Sequence, residues 1–502
     1  MGLTREAAPP SDAPGRGMVG RTVSTALPLY LTMLASTVGG LVDTVVLGRH
    51  STATLAAFAL TMAVYVPATA TVAGTMRGVM PFVAAHDDDP DALVPVVRDS
   101  IWLGIVTGLL GALAVGAVPL IGLASGVPQQ TLSELGPLPV LMAASVLVAA
   151  VGNAATSTLV GLGHSKLVMR AGTTGTAAAV VLSLTLVNGI GSFDGFGLLG
   201  AGIAMLVSSL ISALVAHWGL RRPAVLAGRS LSPGRPHARA LIRLAGVGVP
   251  LAATVLIKFA VLGVLAIAAA RVGTVSAAAH SIAVSLAGLM FTAAVAIGQA
   301  IIPLMAPYLK AKDVRGLRAA VRAGVMTALG AVVLLGVALA VLRIPVLSFF
   351  THDPDVRHQL LALLPLLLLV AVTDALQAVC GFGLVAIRNT VPSLFAFAVC
   401  YGLLALAAAP LTALGGLTAL WLALLAANTL LVVAQAGFFF QRSGSLADPC
   451  PVRSDLNRKE NHVLMTQEQN VMPTPGVRCR PRFGSAGSRR SDTPPSATTP
   501  SC

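Results

Sequence analysis

Residues 28–57, PLYLTMLASTVGGLVDTVVLGRHSTATLAA, carry a single carboxylate, Asp43, inside an otherwise apolar run of membrane-crossing length. A charge at bilayer depth costs about 2.5–3.5 kcal/mol on insertion scales, so such residues face a protein interior or a wet cavity. Asp43 is therefore expected to bind a cation or a proton. The competing reading is a neutral buried carboxyl satisfied by Thr37 or Thr44.

The rest of the chain fits this reading. Of 502 residues, 56% are hydrophobic and 10% charged, whereas soluble domains carry about 25% charged residues. Apolar runs of roughly 20 residues, enough to cross about 30 Å of hydrocarbon, recur along the chain. Alternation of apolar and polar residues is absent, which excludes a β-barrel. Twelve spans are expected, at 22–47, 53–84, 95–121, 135–161, 166–188, 198–219, 240–270, 275–308, 318–342, 358–386, 391–412 and 416–441. The fold class is all-α, a polytopic membrane protein with its partner surface in the lipid bilayer.

Lys and Arg fall mostly in alternate loops. On one side of the array lie only Arg49, Arg271, Arg343 and Arg357, and only Arg77 and Lys258 lie well inside spans; the other Lys and Arg residues lie at or beyond the span ends on the opposite side, or in the tail. Short cytoplasmic loops retain positive charge, so both termini are expected in the cytoplasm and the chain in the cell membrane. The net charge of +14 thus reads as topology, and no nucleic-acid partner is expected. Segments 1–21, 221–239 and 443–502 are read as a cytoplasmic N-terminal segment, a Pro/Gly/Arg linker and a disordered tail. Between them lie lobes at 22–220 and 240–442. The first 21 residues contain no Ala-x-Ala cleavage pattern, so the first span is expected to be retained. Five cysteines show no ligand spacing, and neither metal nor disulfide is expected.

The two lobes repeat. At an offset of 222, Pro28 meets Pro250, Arg49 meets Arg271, Thr52 meets Thr274, Pro81 meets Pro303, Asp91 meets Asp313, and Arg77 meets Gln299. An even number of spans per unit gives both units one orientation, hence an axis along the membrane normal and a central cleft suited to alternating access. The position equivalent to Asp43 is Leu265, so the acid is not part of the repeated scaffold. Arg77 and Gln299 are read as either structural or cavity-lining. His280 is expected to be solvated near a span end, and Asp87, Asp88 and Asp89 to form a solvated or salt-bridged loop. Gly104, Gly108 and Gly111 are expected to permit close helix packing.

Pro28, Asp43 and Gly48, in the pattern P-x14-D-x4-G, resemble the first-helix signature of multidrug and toxic compound extrusion (MATE) transporters, especially the DinF-like branch. GLGHSK at 161–166, GFGLLGAGIA at 195–204 and DALQAVCGFGLVAIRNT at 374–390 are similar to further segments of that family. The resemblance implies antiport, with inward-moving protons or sodium driving export of amphipathic, cationic compounds, and no cofactor beyond that ion. It places ion coupling at Asp43, with Asn188 as its polar partner, and at Asp374. Two departures accompany it. Gly191 and Ser192 stand where the family often has a carboxylate, and Lys258 stands where sodium-coupled members have a glutamate. Lysine offers only donors and cannot ligate sodium, which favours proton coupling. Lys258 and Asp374 are expected either to pair or to stay apart with Lys258 reaching a wet cavity; with Arg77 and Gln299, Lys258 is assigned to cavity or gating duty.

Two other functions compete with this one. A lipid-linked oligosaccharide flippase shares the architecture, but its cavity is expected to be rich in Arg and Lys. An embedded enzyme would show motifs such as H-E-x-x-H or G-x-S-x-G, and none occurs. The expected partners are small-molecule substrates, and a monomer is expected.

Overall fold

The computed structural model describes residues 16–190, 193–226 and 234–446. Gly191 and Ser192, most of the N-terminal segment, the middle of the linker and the tail from 447 lie outside the described residues.

Twelve helices span the array. In the first lobe they are α1 (Arg16–His50), α2 (Thr52–Arg77), α3 (Pro90–Gly116), α4 (Leu138–Gly161), α5 (Ser165–Asn188) and α6 (Leu198–Leu220). The second lobe holds α7 (Ala238–Val272), α8 (Thr274–Lys310), α9 (Val314–Val341), α10 (Pro354–Ala386), α11 (391–414) and α12 (417–445). The last two run on as one rod broken at Gly415 and Gly416, where φ at Gly416 is +59°. That left-handed backbone suits glycine, which carries no Cβ to clash. Only a short hairpin, Gly189–Ile190 against Phe193–Asp194, interrupts the helical pattern between α5 and α6.

Helix starts follow local chemistry. Asp89, Asp313 and Asp353 each accept backbone N–H bonds at the first turns of α3, α9 and α10, satisfying donors that a helix start leaves free. In the repeat, the aligned acid Asp91 is therefore not the structural counterpart of Asp313; the capping Asp89 is. Within the membrane, Pro28 and Pro250 sit inside α1 and α7. Each removes one backbone hydrogen bond and favours a bend.

Small residues bring helices together inside each lobe. A Cβ on Gly104 would lie 3.0 Å from the Ala150 carbonyl oxygen, and one on Gly108 2.7 Å from the Ala150 Cβ. Thus α3 and α4 pack as the glycine spacing predicts. The lobes join through α1 against α8 and α2 against α7, pairs related by the repeat. At the α2–α7 crossing, a Cβ on Gly78 would collide with the backbone of Gly248, and one on Gly74 would lie 3.1 Å from the Ala252 Cα.

These junctions lie at the end where α1 begins and α2 finishes. There the Arg388 guanidinium donates to the Pro81 carbonyl oxygen at 3.0 Å and lies over the Phe82 ring at 4.2 Å. Lys310 meets Asp88 at 2.6 Å. The Asp88 side chain is 83% exposed, and such a surface pair contributes less than about 1 kcal/mol, so apolar and backbone packing dominates the closure. Next to it, partial desolvation and the neighbouring Asp88 hold the Asp87 carboxyl above its ordinary pKa. The acidic run therefore divides its work between a cap, an ion pair and an exposed acid beside them.

Candidate functional site

A cavity of about 710 Å³ lies in the first lobe, walled by α1, α2, α4, α5 and α6, with Gln299 of α8 contributing from the other lobe. Its lining is mostly small or apolar, with scattered hydroxyls that include Thr32, Ser36, Thr69, Thr156, Ser208 and Ser212. Asp43 is part of this wall and is 3% exposed.

The placement of Asp43 follows from how α1 and α5 pack. Both run in the same direction. A Cβ on Gly172 of α5 would strike the Thr32 side chain of α1, and one on Gly39 would lie 3.2 Å from the Thr176 methyl. Eleven residues beyond Thr32 and Gly172 are Asp43 and Ser183. Eleven residues make about three turns at 3.6 per turn, so the second pair faces along the same seam. There the Ser183 hydroxyl donates to Asp43 Oδ1 at 2.5 Å. Asn188, expected as the partner, is exposed at the end of α5 and does not hydrogen-bond Asp43. Thr37 and Thr44 donate instead to carbonyl oxygens of their own helix, at Met33 and Gly40. Asp43 is thus held by one hydroxyl and open to the cavity. Tyr65, also in the wall, reaches Ser145 at 3.2 Å, and Ser145 reaches Ser209 at 2.9 Å.

The second lobe carries a different arrangement. Lys258 Nζ lies 2.6 Å from Asp374 Oδ1 and 2.8 Å from Oδ2, and 3.5 Å from the centre of the Phe291 ring. Both side chains are mostly buried, at 17% and 10% exposure. A buried charge requires pairing, and here each supplies the other's partner while the ring face adds attraction for the cation. Of the two expectations for Lys258, the structure adopts the pair.

Several polar groups escaped the sequence reading. His280 is buried at 2% exposure, not solvated, and its Nδ1 accepts from Trp421 Nε1 at 3.2 Å. Tyr401 donates to the Asn428 side-chain oxygen at 2.8 Å, and Gln435 donates to Ser393 at 2.8 Å. Ser183 had one available signal. Gly172, Gly175, Thr176, Ala179 and Ser183 form a stripe of small residues on one face of α5, and such a stripe marks the face that packs against another helix.

The family model described as MatE matches residues 28–185 and 250–411, one block in each lobe. A probable multidrug resistance protein NorM from Aromatoleum aromaticum is 28% identical over 405 residues, covering 78% of this chain and 85% of that protein. A multidrug resistance protein MdtK from Pectobacterium atrosepticum is 24% identical, covering 70% and 79%. Among solved structures, an outward-facing multidrug resistance MATE family transporter superposes with a TM-score of 0.78 at 18% identity, over 86% of this chain and 97% of that one. Two matched blocks, one per lobe, and a shared two-lobed bundle converge on one conclusion: this chain belongs to the MATE family of membrane transporters.

Proposed function

We propose that the protein exports amphipathic, cationic small molecules in exchange for protons by alternating access of its two lobes. The observation that carries the reading is Asp43, a buried carboxylate in the wall of a roomy, mostly apolar cavity with scattered hydroxyls, bonded to Ser183 and, among the described residues, to no basic side chain. Such a group has two useful occupants, a proton or a positively charged substrate, and exchange of one for the other couples their movements. The multidrug resistance names of the relatives support drug export. Protons have better support than sodium because Lys258 occupies both oxygens of Asp374 and itself offers no lone pair to a metal.

Orientation follows from the basic loops. With the start of α1 in the cytoplasm, the Gly78–Gly248 crossing and the Arg388 contacts close the cytoplasmic end, so the state is outward-facing. Residues 221–239 and 443–502 are then cytoplasmic. Single cysteines placed in the linker, or the native tail cysteines Cys450, Cys479 and Cys502, should react with an impermeant maleimide only after the membrane is opened. Labelling of either segment from outside intact cells would reverse the orientation.

Reconstitution tests the function itself. In liposomes, an imposed proton gradient should drive movement of a fluorescent cation, and a sodium gradient alone should not. Failure of both gradients, together with flipping of a lipid-linked sugar, would replace the reading with a flippase.

A further inference from the structure

Arg77 and Gln299 stand 222 residues apart, at equivalent positions of the two repeats, and both line the same cavity. Residues related by a two-fold axis come together only close to that axis. Both stand beside the lobe junction: Arg77 is one residue from the Gly78–Gly248 crossing, and Gln299 lies at the equivalent depth of α8, which packs against α1. At this end two donor groups stand without a protein partner. Among the described residues the Arg77 guanidinium has no ion-pair partner and makes no hydrogen bond to the protein. Gln299 is 4% exposed, and its Nε2 has no hydrogen-bond partner.

Asp43 does not serve as the missing partner. It lies near the far end of α1, whereas Arg77 closes α2. Counted through the α1–α2 turn at about 1.5 Å per residue, the two differ in depth by roughly 25 Å. An unpaired cation in a membrane interior is costly and marks function unless a partner compensates it. An unpartnered buried amide adds a second cost of the same sign.

We propose that this end of the cavity is a carboxylate subsite, resting on the transport reading of the same cavity. Arg77 presents its planar fork to the two oxygens of a substrate acid, a geometry that guanidinium matches bidentately. Gln299 adds one donor from the opposite lobe. Leu29, Met80, Val160 and Val168, which line the cavity toward the same end, receive the apolar body. The preferred ligands are amphipathic compounds bearing a free carboxylate, including zwitterions. Because the two donors come from different lobes, a bound acid also bridges the lobe junction.

A matched pair of dyes tests this: a rhodamine with a free benzoate and its methyl ester, which differ only in that acid. Binding of each to purified protein is read by fluorescence anisotropy with no gradient present. The acid-to-ester affinity ratio is expected to exceed about ten in the wild type, a tenfold preference corresponding to about 1.4 kcal/mol. It should fall to near one in Arg77→Met, keep part of its value in Arg77→Lys and drop several-fold in Gln299→Leu. A wild-type ratio near one, or an unchanged ratio in Arg77→Met, overturns the subsite. If Arg77→Met does not fold, an unchanged ratio in both Arg77→Lys and Gln299→Leu overturns it equally. The antiport reading fails separately: a preserved preference without gradient-driven movement sinks that reading and leaves the subsite standing.

Discussion

Asp43→Asn is expected to reduce gradient-driven export to the level of protein-free liposomes while insertion and thermal stability stay close to wild type. The amide keeps the size of the carboxyl and can still meet the Ser183 hydroxyl, which lies 2.5 Å from Oδ1. It cannot take up and release a proton, and it carries no charge to attract a cationic substrate. Ser183→Ala is the companion. It keeps the carboxyl and removes one charge-assisted hydrogen bond, worth about 1.5–3 kcal/mol, so a partial loss of rate is expected. Wild-type export by Asp43→Asn at equal protein amounts would reduce Asp43 to a structural acid.

The second large effect concerns Lys258 and Asp374. Breaking a buried pair by changing one partner typically costs about 3–5 kcal/mol, because the other charge is left uncompensated. Lys258→Asp and Asp374→Lys each go further and put two like charges into the site where opposite charges now meet at 2.6–2.8 Å. Each single change should lower both expression and the thermal midpoint measured in detergent. The double swap restores opposite charges and should recover a substantial part of both, although the reversed cation no longer sits over Phe291 as Lys258 does at 3.5 Å. A double variant no better than the worse single would mean that the pair contributes nothing specific. In the proposed mechanism, Lys258 does permanently what a bound cation would do transiently, so the second lobe holds a fixed charge and coupling falls to Asp43.

The spans were legible because bilayer thickness sets their length and apolar composition sets their position. Ten helices each overlap one expected span over most of its length, and the rod at 391–445 divides at Gly415 and Gly416 into the remaining two. The 222-residue repeat relates the two lobe junctions, α1 with α8 and α2 with α7, to each other. Asp43 was visible because an acid in an apolar run is conspicuous by composition alone. Ser183 was not, because a serine in a membrane helix carries little signal; its meeting with Asp43 depends on the α1–α5 register fixed by Gly172 and Gly39. Asn188, named as partner by the family resemblance, lies five residues past Ser183 on α5, more than a turn beyond the seam, and makes no hydrogen bond to Asp43. His280 looked solvated from its place near a helix end, yet Trp421, 141 residues away in sequence, covers it. Long-range packing of this kind is not written in local composition.

Proton release on substrate binding tests the central claim most directly, since it needs neither a gradient nor a membrane. Purified protein in weakly buffered detergent would be mixed with the cationic rhodamine ester, and the liberated protons read with a pH-sensitive dye over a series of starting pH values. The account predicts release approaching one proton per bound cation at the pH where Asp43 is protonated beforehand, and none from Asp43→Asn. No release from the wild type at any pH, or equal release from Asp43→Asn, would contradict it.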